Sequence, residues 1–133
     1  MRRHIISLLN YSPLCLLVFF SGCSFNIDVD YQIRNESGES ITIFVEGPFI
    51  DADTSMISDG TSLIFFDQTE GARSATEYLD NLDAIGFKIF IANETGQLYN
   101  KDPMDISNWQ KIYPETKNGL GKVELTVRPA DFD

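Results

Sequence analysis

Histidine and cysteine are almost missing from this chain. Its 133 residues include one histidine, His4, and two cysteines, Cys15 and Cys23. A Ser–His–Asp triad needs an imidazole to take the nucleophile's proton, and zinc sites are built mainly from His and Cys. Both chemistries are short of their usual parts, no cofactor is implied, and an enzyme is not expected. Positive charge is scarce too: ten Lys and Arg stand against twenty Asp and Glu, a formal charge of −10. An acidic surface repels phosphate backbones, so nucleic acid is not an expected partner. No apolar run reaches the roughly 20 residues that span a bilayer. No internal repeat or low-complexity tract is evident. What is plentiful is core material, with 43% hydrophobic and 12% aromatic residues in a length that suits one domain.

The first residues read as an address. Arg2, Arg3 and His4 form a short basic region, followed by an apolar stretch from Ile5 that is interrupted over 10–13 and continuous over 14–20. That is the build of a signal-peptide core. It ends in Phe20-Ser21-Gly22-Cys23. The tetrapeptide resembles the lipobox of bacterial lipoproteins, with cleavage expected between Gly22 and Cys23. Small Gly22 leaves room beside the scissile bond, and the Cys23 thiol accepts diacylglycerol, the amine later taking a palmitate-type chain. Phe20 departs from the pattern, where leucine is usual. The division expected is a signal peptide over 1–22, a lipidated tether over 23–28 and a folded domain over 29–133. Cleavage leaves 111 residues without histidine, takes the formal charge to −12 by removing Arg2 and Arg3, and commits the last thiol to lipid. No intramolecular disulfide is then available, so stability rests on a hydrophobic core.

Alternation organises the remainder of the chain. Val29, Tyr31 and Ile33 point opposite to Asp30, Gln32 and Arg34, and Ile41, Ile43 and Val45 repeat the pattern. With Asn35-Glu36-Ser37-Gly38-Glu39 as a turn, the two runs predict a β-hairpin. Residues 49–60 read as a polar loop. Residues 62–67 hold four consecutive apolar residues, a strand expected to be buried on both faces or covered on one by its partner. Ser74-Ala75-Thr76-Glu77 resembles a capping box, opening a short helix over 74–85 with Tyr78, Leu79, Leu82 and Ile85 on one face, with an irregular crossover loop as the alternative. Residues 86–92 alternate again, and Asn93-Glu94-Thr95-Gly96 turns the chain back through 97–99. Asp102-Pro103 suggests an N-cap and first helical residue, with Ile106, Trp109 and Tyr113 at helical spacing. A last strand covers 122–128, with Val123, Leu125 and Val127 inward and Glu124, Thr126 and Arg128 outward.

About six strands with one or two short helical insertions predict an all-β fold, an antiparallel β-sandwich of immunoglobulin-like architecture. The alternative is an α+β arrangement with the 74–85 helix on one sheet. Three sets of residues are site candidates. Asp51, Asp53, Ser55 and Asp59 match oxygen positions of an EF-hand calcium loop, but Met56 stands where that loop needs glycine and Ser62 where it needs glutamate. A solvated acidic loop is the favoured reading. Phe44, Phe66, Phe90 and Trp109 are candidate ligand-binding aromatics, with core packing favoured for the three phenylalanines and Trp109 expected to plug an end of the sandwich. Asn35-Glu36-Ser37 and Asn93-Glu94-Thr95 match the glycosylation triplet and are read as turns.

Cys23, the strand–turn–strand from Tyr31 to Val45, the Asn93–Gly96 turn and the terminal 123–132 segment together resemble small outer-membrane β-sandwich lipoproteins of Bacteroidota-type bacteria. The resemblance implies a membrane-anchored, non-enzymatic protein of the outer membrane, an address that Ser24 suits. Its expected partners are the membrane and an envelope protein or glycan. Two alternatives are a carbohydrate-binding module, with or without calcium, and a subunit that assembles through strand edges.

Overall fold

The computed structural model describes residues 27–69, 72–116 and 118–132. Seven strands form two facing sheets: β1 (Val29–Asn35), β2 (Ile41–Gly47), β3 (Ile50–Ile57), β4 (Ser62–Gln68), β5 (Lys88–Asn93), β6 (Gln110–Ile112) and β7 (Gly121–Val127). The larger sheet has the order β4-β1-β7-β6 and the smaller β3-β2-β5. All pairings are antiparallel except β1 with β7, which run parallel with Tyr31 beside Val123 and Ile33 beside Leu125. The fold is an all-β sandwich, as the strand pattern predicts. Val29, Ile33, Val123, Leu125 and Val127 from the larger sheet meet Ile41, Ile43, Ile89 and Ile91 from the smaller, all essentially dry. At about 25 cal/mol per Å² of apolar surface, that interface is the main stabilising term.

Several expectations are corrected. β1 and β2 do not form a hairpin, because the 36–40 segment carries the chain from one sheet to the other. Each strand keeps its apolar row by facing the other's row rather than lying beside it. The expected 49–60 loop is largely β3, paired to β2 from Ile41↔Ile57 to Gly47↔Ile50. β3 is an edge strand whose sole buried residue is Ile57, so no alternation marks it. In β4 the run of four apolar residues takes the second of its two expected forms, one covered face, since Ile64 is half exposed. The register slips where β1 meets β4, with Tyr31 opposite Phe66 and Gln32 opposite Ile64. That β-bulge leaves Phe65 as the extra residue and turns both Phe65 and Phe66 toward the core.

The helix α1 spans Ala75–Asn81, with Ser74 as N-cap accepting from the Glu77 amide, and Leu82 is already extended. Ile85 is buried beyond the helix rather than on it. The Asp102-Pro103 site does not open a helix. Asp105 caps a 3₁₀ turn over Ile106–Asn108, and the chain then enters β6, so the helical spacing of Ile106, Trp109 and Tyr113 is coincidental. Trp109 is buried beside β6, its Nε1 donating to the Pro103 carbonyl. The folded body begins earlier than expected. Ile27 is 2% exposed and the Asp28 carbonyl accepts from the Gly121 amide, so the end of the expected 23–28 tether belongs to the domain.

The sandwich has two distinct ends. At the near end lie Ile27, the β2–β3 turn at Pro48-Phe49, α1, and residues 113–116 and 118–120. At the far end lie the turns at 36–40, 58–61 and 94–97 and the terminal 128–132 segment.

Candidate functional site

The candidate surface is the outer face of the smaller sheet. Residues paired across strands project to the same side. Phe44 lies between Thr54 and Phe90, Thr42 between Met56 and Ala92, and Glu46 opposite Lys88. The Phe44 and Phe90 rings sit 6.0 Å apart, tilted by 50°. Lys88 stands 5.9 Å above the Phe90 ring and is 3.3 Å from Glu46, so the two charges at paired positions of this face satisfy each other. Leu98 bridges to Ala92 and extends the row. Phe90 is 50% exposed, Leu98 67% and Met56 73%. Neither α1 nor the 3₁₀ turn covers this face, since α1 packs against β7 and Ser107 and Asn108 of the turn line a cleft with Glu124 and Thr126 of the larger sheet.

The four candidate aromatics therefore divide. Trp109 and Phe66 are core residues, Phe66 through the bulge and 4.8 Å from the Phe87 ring, and core packing holds for both. For Phe44 and Phe90 it does not: they are a cross-strand pair on an uncovered face. The signal that separates them is partly legible in the sequence, because both are centred in cleanly alternating strands whose other row is aliphatic.

The calcium candidates are not brought together. Asp51, Asp53 and Ser55 lie in extended β3, where a rise of about 3.3 Å per residue holds Asp51 and Ser55 roughly 13 Å apart. Asp53 accepts from the Thr54 amide and the Ser55 hydroxyl, while Asp59, in the next turn, accepts from the Gly38 amide. No group of three or more His, Cys, Asp or Glu residues is placed to hold a metal among the described residues. Cys23, Gly22, His4 and Cys15 lie outside the described residues. Within them, no helix is long and apolar enough to cross a membrane.

One polar cleft of about 260 Å³ opens on the larger sheet, floored by Glu124 and flanked by Asn108, Gln110 and Arg128. Alternation puts Glu124 on the outward row, yet it is 9% exposed, with Gln32 donating to one carboxylate oxygen and Thr126 to the other. It is the single carboxylate lining that cleft, and opposed pairs of the glycosidase kind need two. The two glycosylation triplets are turn anchors. Asn35 Nδ2 donates to the Glu39 and Ile57 carbonyls, and Asn93 Nδ2 donates to Glu39 and Gln97, leaving neither amide free.

Fold and surface together define a small β-sandwich whose smaller sheet carries an exposed apolar stripe on its outer face. Comparison with family models, with curated proteins and with solved structures gave no match for this chain.

Proposed function

We propose that the protein is a non-catalytic lipoprotein, anchored in the outer membrane through Cys23, whose smaller sheet holds another envelope protein against its outer face. The observation carrying the binding part is the Phe44–Phe90 pair, flanked by exposed Met56 and Leu98 on a face whose charges are internally paired. An apolar stripe on an acidic body is costly to leave in water and suits a partner's aliphatic surface. The anchor part is supported by the sequence pattern ending at Cys23. Several acyl chains at about 0.8 kcal/mol per buried CH₂ hold far more firmly than one.

The test is chemical cross-linking in native envelopes, with the wild type beside Phe90→Lys and Leu98→Lys. Both changes lie on exposed positions and leave the core intact. Loss of one defined cross-linked product in both variants, with membrane recovery unchanged, supports the surface. Equal yield from all three chains counts against it. Cys23→Ala separately tests the anchor, since that variant is expected in the soluble fraction. The carbohydrate-binding reading rests on the same two rings. Their mutual tilt and the lysine over Phe90 leave a poorer stacking platform than flat, uncovered rings. Edge-to-edge assembly has less support, since Asp51 and Asp53 lie along the free edge of β3.

A further inference from the structure

The near end of the sandwich carries three exposed apolar or amphipathic side chains on separate loops. Phe49 at the β2–β3 turn is 82% exposed, Leu120 before β7 is 45%, and Tyr113 after β6 is 46%. None is needed to fill the core. Beside Phe49 opens a cleft of about 230 Å³ walled by Phe66, Tyr78, Leu82 and Phe87. The far end presents no such residues in its turns: Ser37, Asn93 and Asp131 are buried there in hydrogen bonds, and Glu36, Asp59 and Glu94 face water.

The chain reaches the folded body at this same near end. Ile27 is buried there, and its neighbour Asp28 is tied by its carbonyl to Gly121, next to Leu120. Cys23 is four residues upstream of Ile27, a covalent reach of at most about 14 Å. The seven residues of β1 then carry the chain roughly 23 Å away, to the far end. A lipid on Cys23 thus holds the near end within about 14 Å of the membrane surface, closer than the far end. From this placement we infer that Phe49, Leu120 and Tyr113 dock into the interface of the bilayer that holds the anchor, fixing the domain upright with its far end outward. The inference rests on the lipoprotein reading above. Tyr113, an apolar ring whose hydroxyl donates to Asp80, has the amphipathic character that interfacial residues show. The depth implied is that of interfacial segments, about 5–10 Å into the headgroup–acyl boundary. Asp28, Asp67, Asp80 and Asp83 near this end make a zwitterionic surface the fitting one.

The test uses the full lipidated protein reconstituted in phosphatidylethanolamine–phosphatidylcholine vesicles. With Cys23 alkylated and the leader removed, an introduced cysteine is the sole free thiol. Phe49→Cys and Leu120→Cys, with Glu94→Cys as the far-end control, are labelled with an environment-sensitive fluorophore. All three positions are exposed, so folding is not at stake. The expected result is a blue-shifted emission at 49 and 120 that is lost when the lipids carry brominated acyl chains, with neither effect at 94. Labels at 49 and 120 as aqueous as at 94, on protein that still floats with the vesicles, overturn the inference and leave the anchor reading standing. Protection at 49 in native envelopes but not in pure lipid also overturns it, in favour of a protein partner. Wild type that fails to float, or Cys23→Ala that floats equally well, overturns the anchor reading and this inference with it.

Discussion

The two ends of this sandwich solve the same problem, turning a chain between sheets, in opposite ways. The far end uses short turns pinned by buried side-chain amides. Asn35 bonds the Glu39 and Ile57 carbonyls with its amide and accepts from the Ser37 amide and hydroxyl. Asn93 accepts from Thr95 and from the Gln97 amide in the same manner. Among the described residues the positive-φ positions are Gly38, Gly60 and Gly96, all at this end. Asp131 closes it, accepting from Lys101 and from the Arg128 amide. The near end has a short helix, longer connections and exposed apolar tips. One end is over-determined by polar bonds; the other is held by packing against Phe87, Leu79 and Ala75 and leaves its loop tips available. The lesson is that the end whose turns carry no exposed apolar side chain is the one built most tightly.

Removing the amide network should therefore give the largest loss. Asn35→Ala takes the buried partner from the Ile57 carbonyl and the Ser37 amide, while the Glu39 carbonyl keeps the Ser37 hydroxyl, a cost of about 3 kcal/mol. Asn93→Ala should cost less, about 2 kcal/mol, because Gln97 and Thr95 are exposed and water can replace the lost bonds. Urea unfolding at neutral pH measures both. Equal, small losses would show that the far end is held by strand packing alone and would erase the contrast.

Much of this architecture is legible in the sequence, for identifiable reasons. Strands with one aliphatic row and one polar row announce themselves, and β1, β2, β5 and β7 are of that kind. β3 does not, because an edge strand that faces water on both sides needs no apolar row. The bulge in β4 is invisible because Leu63-Ile64-Phe65-Phe66 alternates nothing, and only the register against β1 decides which side each ring takes. The sheet-crossing of β1 to β2 is hidden by a turn that looks like a hairpin turn. A signal for it is present: Asn35-Glu36-Ser37-Gly38 and Asn93-Glu94-Thr95-Gly96 are the same motif, and both anchor far-end turns. Alternation alone places the uncovered Phe44–Phe90 pair opposite the aliphatic row. Whether anything lies over it depends on where α1 docks, which is set by the contact of Leu79 with Gly121, distant in sequence.

The near end has its own vulnerable point. A Cβ at Gly47 would sit 2.5 Å from Phe87 Cδ1. That ring has little room to retreat, with Tyr31 at 5.3 Å, Phe65 at 5.4 Å and Phe66 at 4.8 Å. Gly47→Ala should cost about 2 kcal/mol through overpacking, whereas Gly86→Ala, which meets nothing within 4 Å, should be neutral. At the far end the glycine effect has a different origin. Gly38→Ala meets no atom but must hold φ near +86°, a cost of about 1 kcal/mol. Thermal unfolding of the three variants separates steric from conformational causes. A Gly38→Ala variant as stable as the wild type would mean that the turn relaxes, and that the far end is less tightly fixed than its hydrogen bonds imply.

The smallest effect lies where the near end sets two carboxylates of the larger sheet against each other. Asp30 and Asp67 are direct cross-strand partners, and Lys122 flanks Asp30 on its other side. Partial burial, and then the Asp67 charge, raise the Asp30 carboxyl above its ordinary range, with Lys122 opposing. A carboxyl raised on folding keeps a proton that the unfolded chain would release, so its contribution to stability falls as pH rises through the interval between the two values. At neutral pH the repulsion is fully expressed. Asp67→Asn should thus stabilise by about 0.5 kcal/mol at pH 7, with the gain shrinking as acid protonates Asp30 and as salt screens the pair. Asp105 gives the opposite slope in the same acid range: the Ser107 amide holds it below its ordinary value, so its contribution is lost as pH falls. The difference between variant and wild type cancels Asp105 and isolates the pair. A gain that persists unchanged in acid would assign the effect to burial or to strand propensity, and would leave the near end without an electrostatic strain of its own.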